Sequence, residues 1–161
     1  MPSFRAVSVV LLLALGGPAV AQGEVGDTVT WSVSQAGPVK AHKTALTLTG
    51  QVQPGWHVYG LKQAPTGPTA LIVSLDKNDV ASIGGAVTGS PATTYHDPAF
   101  GLDTHFYSSA FTLTLPLRFA PHANGQQTVP VNVRFQTCNG RICQPPKTVH
   151  LSVPVSSVTG G

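Results

Sequence analysis

Both cysteines of this 161-residue chain stand in one short stretch, Cys138-Asn139-Gly140-Arg141-Ile142-Cys143-Gln144-Pro145-Pro146. Two thiols this close in sequence form a local disulfide when their Cα atoms lie within about 6 Å. They exchange it through a mixed disulfide when one sulfur is open to in-line attack. Such a pair is either a structural staple or a working redox couple. Chain-entropy arithmetic gives a loop of about six residues roughly 2 kcal/mol of stabilisation, against about 4.7 for a loop of 100. A staple meant to hold a domain together would join distant strands instead. Arg141 inside the loop and Lys147 just after it either favour a thiolate or are ordinary solvated charges. Pro145 and Pro146 lack N–H donors and stiffen the chain after Cys143, which either fixes the sulfur or simply ends the turn.

Other chemistries find less support. Two cysteines are half a zinc site, and no neighbouring Cys or His has finger spacing. His150 lies beyond Cys143 in the polar phase of a strand pattern. His42, His96, His105, His122 and His150 form no spaced metal motif, and a copper site would use clustered Met and His, whereas the only methionine is Met1. No Gly-x-Ser-x-Gly elbow is present for a serine hydrolase. No cofactor and no metal are expected; in a redox reading the dithiol itself is the redox centre.

The elements that must position these thiols begin with an export signal. Arg5 supplies a positive n-region, Ala6 to Leu15 is mostly apolar, and Ala19-Val20-Ala21 is a small-x-small cleavage site. Gly16, Gly17 and Pro18 interrupt the apolar run well before the roughly 20 residues a transmembrane helix needs. The expected division is a signal peptide over 1–21, one domain over 22–155 and a flexible tail over 156–161. No membrane insertion is expected after signal cleavage. An exported pair of thiols meets an oxidising compartment and becomes a disulfide unless something reduces it. Nine Lys and Arg against six Asp and Glu are scattered rather than clustered, which argues against a nucleic-acid partner.

Helical periodicity is almost absent and period-two alternation is common. Val29, Trp31 and Val33 alternate with polar residues. Leu46, Leu48 and Val52 continue the pattern, and Leu71 to Leu75 is a shorter run. Phe111 to Phe119, Val129 to Phe135 and Val149 to Val155 complete it. Each run has one apolar and one polar face, as strands of face-to-face antiparallel sheets do. Pro116, Pro130 and Pro154 fall in the polar phase, which predicts edge strands or strand ends. Trp31 and Trp56 are expected in the core. The fold class expected is all-β, an immunoglobulin-like antiparallel β-sandwich.

Three ordered pieces of the sequence resemble one family. Phe135 to Val149 carries an aromatic strand end, a cysteine, a short loop, a second cysteine and Pro-Pro before a strand. Pro54-Gly55-Trp56-His57-Val58-Tyr59 is similar to a Gly-Trp-His-x-Tyr strand. Tyr95-His96-Asp97-Pro98-Ala99-Phe100-Gly101 is similar to a cap loop, and Phe106-Tyr107 onward to the strand after it. Together they resemble the N-terminal periplasmic domain of the bacterial thiol:disulfide interchange protein DsbD, over roughly residues 25 to 155. The resemblance implies a thiol:disulfide oxidoreductase domain that acts as an electron-transfer partner in the periplasm. Its implied donor is the thioredoxin-like domain of a membrane reductase. Its implied acceptors are periplasmic thioredoxin-fold or disulfide-isomerase-like proteins. It further implies that Cys143 forms the mixed disulfide and Cys138 resolves it.

This chain departs from the family pattern in three ways. It lacks a membrane segment and a thioredoxin-like domain, so a free-standing version is expected. The loop between the cysteines is short. The aromatic pair before the cap glycine is here Ala99-Phe100. The segment from His96 to Gly101 is a candidate lid over the sulfurs, with Asp97-Pro98 starting a turn, Phe100 as cover and Gly101 as hinge; the alternative is an ordinary loop. Tyr59 is a candidate neighbour of the sulfurs through its hydroxyl, or a half-buried sheet tyrosine. His57, on the same strand face, is a weaker candidate. The alternative for the whole chain is a secreted immunoglobulin-like binding module with a structural disulfide.

Overall fold

The computed structural model describes residues 21–22 and 28–156. Apart from Ala21 and Ser156, the expected signal segment and tail lie outside the described residues. In chain order the strands are β1 (Ala21–Gln22), β2 (Val29–Gln35), β3 (Lys43–Val52), β4 (His57–Tyr59), β5 (Ile72–Leu75), β6 (Ala81–Ile83), β7 (Thr88–Gly89), β8 (Thr93–Asp97), β9 (Leu102–Tyr107), β10 (Phe111–Phe119), β11 (Gln126–Phe135), β12 (Thr137–Cys138) and β13 (Lys147–Ser156). No helix occurs among the described residues, so none there is long and apolar enough to cross a membrane.

The alternating runs behave as their period requires. In β10 the apolar residues Phe111, Leu113, Leu115, Leu117 and Phe119 are all buried, and their polar neighbours face outward. The same holds for Val129, Val131, Val133 and Phe135 of β11. One sheet runs β1-β2-β3-β10-β6, with β7 also pairing β10, and a second runs β13-β11-β5. Their apolar faces share a single core, giving the immunoglobulin-like sandwich. Trp31 sits in that core between the rings of Phe111 and Phe135, whereas Trp56 is only partly buried against it. Gly50 interrupts β3 because a Cβ there would lie 2.5 Å from the Phe111 ring. Ser156, the first residue of the expected tail, closes β13 and exchanges hydrogen bonds with the Gln35 side chain.

The prolines correct one expectation. β10 and β11 are interior strands, not edges. In an antiparallel strand the N–H and C=O of one residue point to the same neighbour. The Pro116 carbonyl accepts from the Gly84 N–H, so its nitrogen faces the break between β6 and β7. The Pro130 carbonyl accepts from the Asp76 N–H, just past the end of β5. Each proline therefore sits where the flanking strand has stopped and no donor is required. Pro154 lies in β13, an edge strand as expected.

A third sheet, β12-β4-β9-β8, carries the cysteines. The central strand β11 passes through one residue, Gln136, into β12. The Gln136 carbonyl accepts from the Tyr59 N–H, and its side chain accepts from the Thr69 N–H. The core sheet thereby delivers Cys138 directly to β4.

Candidate functional site

Cys138 and Cys143 face each other across a miniature antiparallel hairpin and are joined as a disulfide, with Cα atoms 4.1 Å apart. The Asn139 N–H donates to the Ile142 carbonyl and the Gln144 N–H to the Thr137 carbonyl. These bonds flank the cysteines, which therefore occupy a non-hydrogen-bonded pair, the position where side chains of opposed strands come closest. The turn between them follows from two residues. The Asn139 side chain accepts from the N–H groups of Arg141 and Ile142, and Gly140 takes a φ of 80° that residues with a Cβ avoid. Behind the hairpin a buried hydrogen bond joins Thr28 to Thr137.

The two sulfurs have unequal surroundings. Cys138 is 2% exposed, while Cys143 and the turn residues Gly140, Arg141 and Ile142 are exposed. Both cysteines line a cleft of about 550 Å³ together with His57, Tyr59, Asp97, Ala99 and Arg141. Cys143 is therefore the more accessible of the two sulfurs.

Tyr59, fully buried, places its hydroxyl 3.1 Å from Cys138 Sγ and 4.0 Å from Cys143 Sγ. The same hydroxyl donates to Asp97 Oδ2 at 2.7 Å. A phenol has one proton, and a carboxylate is the stronger acceptor. In the oxidised protein the hydroxyl therefore keeps its proton and directs it chiefly toward Asp97. Burial, together with the hydrogen bond and charge of Asp97, pushes the Tyr59 pKa far above its ordinary value, so Tyr59 stays protonated.

Asp97 is 6% exposed and anchors the cap. Its Oδ1 accepts from the Ala99 N–H, and its carbonyl accepts from Phe100 and Gly101. Gly101 closes the β8–β9 turn with a φ of 64°. Phe100 is half-buried and meets Tyr59 at 90° with centroids 5.9 Å apart. The cap thus reaches the sulfurs through Tyr59, and Pro98 and Ala99 form the facing wall of the cleft.

His57 stands directly opposite Cys138 across β4 and β12. Its ring lies against Tyr59 at 5.2 Å and Phe106 at 4.7 Å. Burial lowers its pKa, partly opposed by the Asp97 charge. The Lys147 ammonium lies over the Phe135 ring at 5.7 Å, and Arg141 lines the cleft. Among the described residues, no three His, Cys, Asp or Glu side chains come together as a metal site.

The family model described as "Thiol:disulfide interchange protein DsbD, N-terminal" matches residues 29–154. The chain belongs to the DsbD N-terminal family. Two solved structures share its fold. The reduced N-terminal domain of DsbD from Neisseria meningitidis is 14% identical with a TM-score of 0.50, and 85% of each chain is covered. The N-terminal periplasmic domain of ScsB from Proteus mirabilis is 15% identical with a TM-score of 0.59. That match covers 84% of this chain and 51% of the other, so this chain spans about half its length. No curated protein matches significantly. Membership in the DsbD N-terminal family and a cysteine pair joined as a disulfide identify thiol–disulfide exchange as the chemistry of this domain.

All six residues singled out from the sequence gather at one end of this DsbD N-terminal domain: Cys138, Cys143, Tyr59, Asp97, His57 and Phe100. Sequence reasoning placed Phe106 only in the strand after the cap loop, without its packing on His57, and did not find the part of Asn139 in shaping the turn. The Asn-Gly pair between the cysteines is a turn signal in its own right and could have located the second. Phe106 has no such signal, because its role depends on β9 lying beside β4.

Proposed function

We propose that this domain shuttles reducing equivalents through Cys138 and Cys143 in the periplasm, with Cys143 as the attacked sulfur and Cys138 as the resolving one. The contrast in exposure between the two sulfurs carries the reading. A donor thiolate attacks Cys143 Sγ, the Cys138–Cys143 bond breaks, and Cys138 leaves as a thiolate beside the Tyr59 hydroxyl. The donor's second thiolate then attacks its own sulfur in the mixed disulfide and releases Cys143. Two electrons and two protons have moved to this domain, and the reverse sequence passes them to an acceptor. The proposed donor is a thioredoxin-like domain of a membrane reductase; the proposed acceptors are oxidised periplasmic thioredoxin-fold or disulfide-isomerase-like proteins. Residues 1–21 act as the export signal and 22–155 as the working domain.

Trapping tests this directly. Cys138→Ala expressed in the native host leaves Cys143 unable to be resolved, so thioredoxin-fold proteins should accumulate in disulfide linkage to it. Recovery of none, with the variant folded, would count against the shuttle. A redox titration gives an independent reading. A shuttle has a potential of about −270 to −120 mV, in the range of thioredoxin-like proteins, whereas a structural bond lies below about −300 mV.

A further inference from the structure

A resolving cysteine attacks as a thiolate. Cys138 is 2% exposed, and burial favours the neutral thiol. A neighbouring group must therefore take its proton. The Asp97 carboxylate is already engaged by the Tyr59 hydroxyl and the Ala99 N–H. The Tyr59 hydroxyl, which shares the cleft, is held protonated by burial and by Asp97 and is no base for the thiol.

His57 is placed for the task. Residues directly opposed across an antiparallel pair put their side chains on one face, with Cβ atoms about 4.5–5.5 Å apart, and His57 is opposed to Cys138. Contacts with Tyr59 and Phe106 fix the ring. Its Nε2 is buried and has no hydrogen-bond partner in the oxidised protein, a state that native structures seldom leave without a use.

We propose that His57 is the base that ionises Cys138 during resolution, with the ring proton on Nδ1 and Nε2 as the acceptor. The inference rests on the reading of Cys138 as the resolving residue. While Cys143 is linked to a partner, the Cys138 S–H proton passes to Nε2. The thiolate attacks Cys143 Sγ, the Cys138–Cys143 bond forms, and the bond to the partner sulfur breaks. The electron pair leaves on the partner thiolate, which takes up a proton from His57 or water. The partner is reduced and this dithiol is oxidised. The contact between Nε2 and sulfur belongs to the reduced and mixed-disulfide forms, in which Cys138 Sγ is no longer bonded to Cys143.

A reduced sample mixed with dithiobis(nitrobenzoate) in a stopped-flow instrument separates the steps. Attack by Cys143 releases one coloured thiolate, and resolution by Cys138 releases the second. A thiol with an ordinary pKa near 8.5 is about 3% ionised at pH 7, so full ionisation by a base is worth up to roughly 30-fold. His57→Gln should leave the first phase within about twofold and slow the second at least about tenfold at pH 7. The deficit should shrink as pH rises toward the thiol's own ionisation. In the unmodified protein the second phase should gain its rate with an ionisation below the ordinary histidine value, in the direction in which burial moves His57. A second phase that rises only with an ionisation above about pH 8 would overturn the inference, as would equal slowing of both phases at every pH. Cys138→Ala should show the first phase alone. Loss of that phase instead would overturn the assignment of the two cysteines, and this inference with it.

Discussion

Phe100→Ala tests whether the β8–β9 turn shields the sulfurs. Phe100 is the only aromatic residue between β8 and β9, and it packs edge-on against Tyr59 with centroids 5.9 Å apart. Aromatic pairs of this geometry contribute about 0.5–1.5 kcal/mol beyond area burial. With RT near 0.59 kcal/mol, losing that contact shifts the closed-to-open ratio of the cap by about two- to thirteenfold. If lifting the turn opens a faster route for an oxidant to the thiols, oxidation should accelerate by up to the same factor. The hinge bonds from Phe100 and Gly101 to the Asp97 carbonyl use backbone atoms and survive the substitution, so the gain is bounded. The assay mixes reduced protein with oxidised glutathione, quenches with an alkylating reagent and counts free thiols by mass. A rate equal to that of the unmodified protein would refute the shielding role and leave Phe100 as a packing residue.

Three further outcomes follow from the same site. Asp97→Asn replaces a charge-assisted hydrogen bond with a neutral one and should lower stability by about 1–2 kcal/mol, read as a reduced denaturant midpoint; an unchanged midpoint would refute the anchoring role of the carboxylate. Reducing Cys138–Cys143 should cost only about 2 kcal/mol, so a thermal melt in dithiothreitol should stay cooperative, and collapse of the fold would identify a staple. Because burial lowers the His57 pKa, the unfolded chain binds a proton that the folded one resists. The stability tied to this residue is present above pH 6.5 and is lost as pH falls below that value. His57→Gln should flatten that limb of a stability–pH curve, and a parallel curve would refute the assignment.

The sandwich was legible because its strands obey a two-residue period against a single core, as β10 does throughout and β11 does from Val129 to Phe135. The third sheet was harder to read. Thr93, Thr94, Tyr95 and His96 of β8 are all exposed, so burial imposes no alternation on their sequence. The short strands β6 and β7 have too few residues to show a period. Their presence decides where Pro116 can sit, which is why the edge-strand expectation failed for β10. At the site, residue types and order were enough to collect Tyr59, Asp97 and the cysteines. The hydroxyl shared between carboxylate and sulfur was not readable, because it depends on how β4, β8 and β12 lie beside one another.

The hairpin that carries the cysteines is closed on both sides by backbone hydrogen bonds, from Asn139 to Ile142 and from Gln144 to Thr137. Those bonds do not involve sulfur, so they persist when the disulfide is cleaved. The freed thiols stay opposed on a frame already set, and each meets the other at an effective concentration far above that of any thiol in solution. Ring closure then requires little loss of chain entropy. A captured partner on Cys143 always competes with a neighbour that is already in place, so mixed disulfides of the intact domain should be short-lived. Only a chain lacking Cys138 would hold its partner long enough to be isolated.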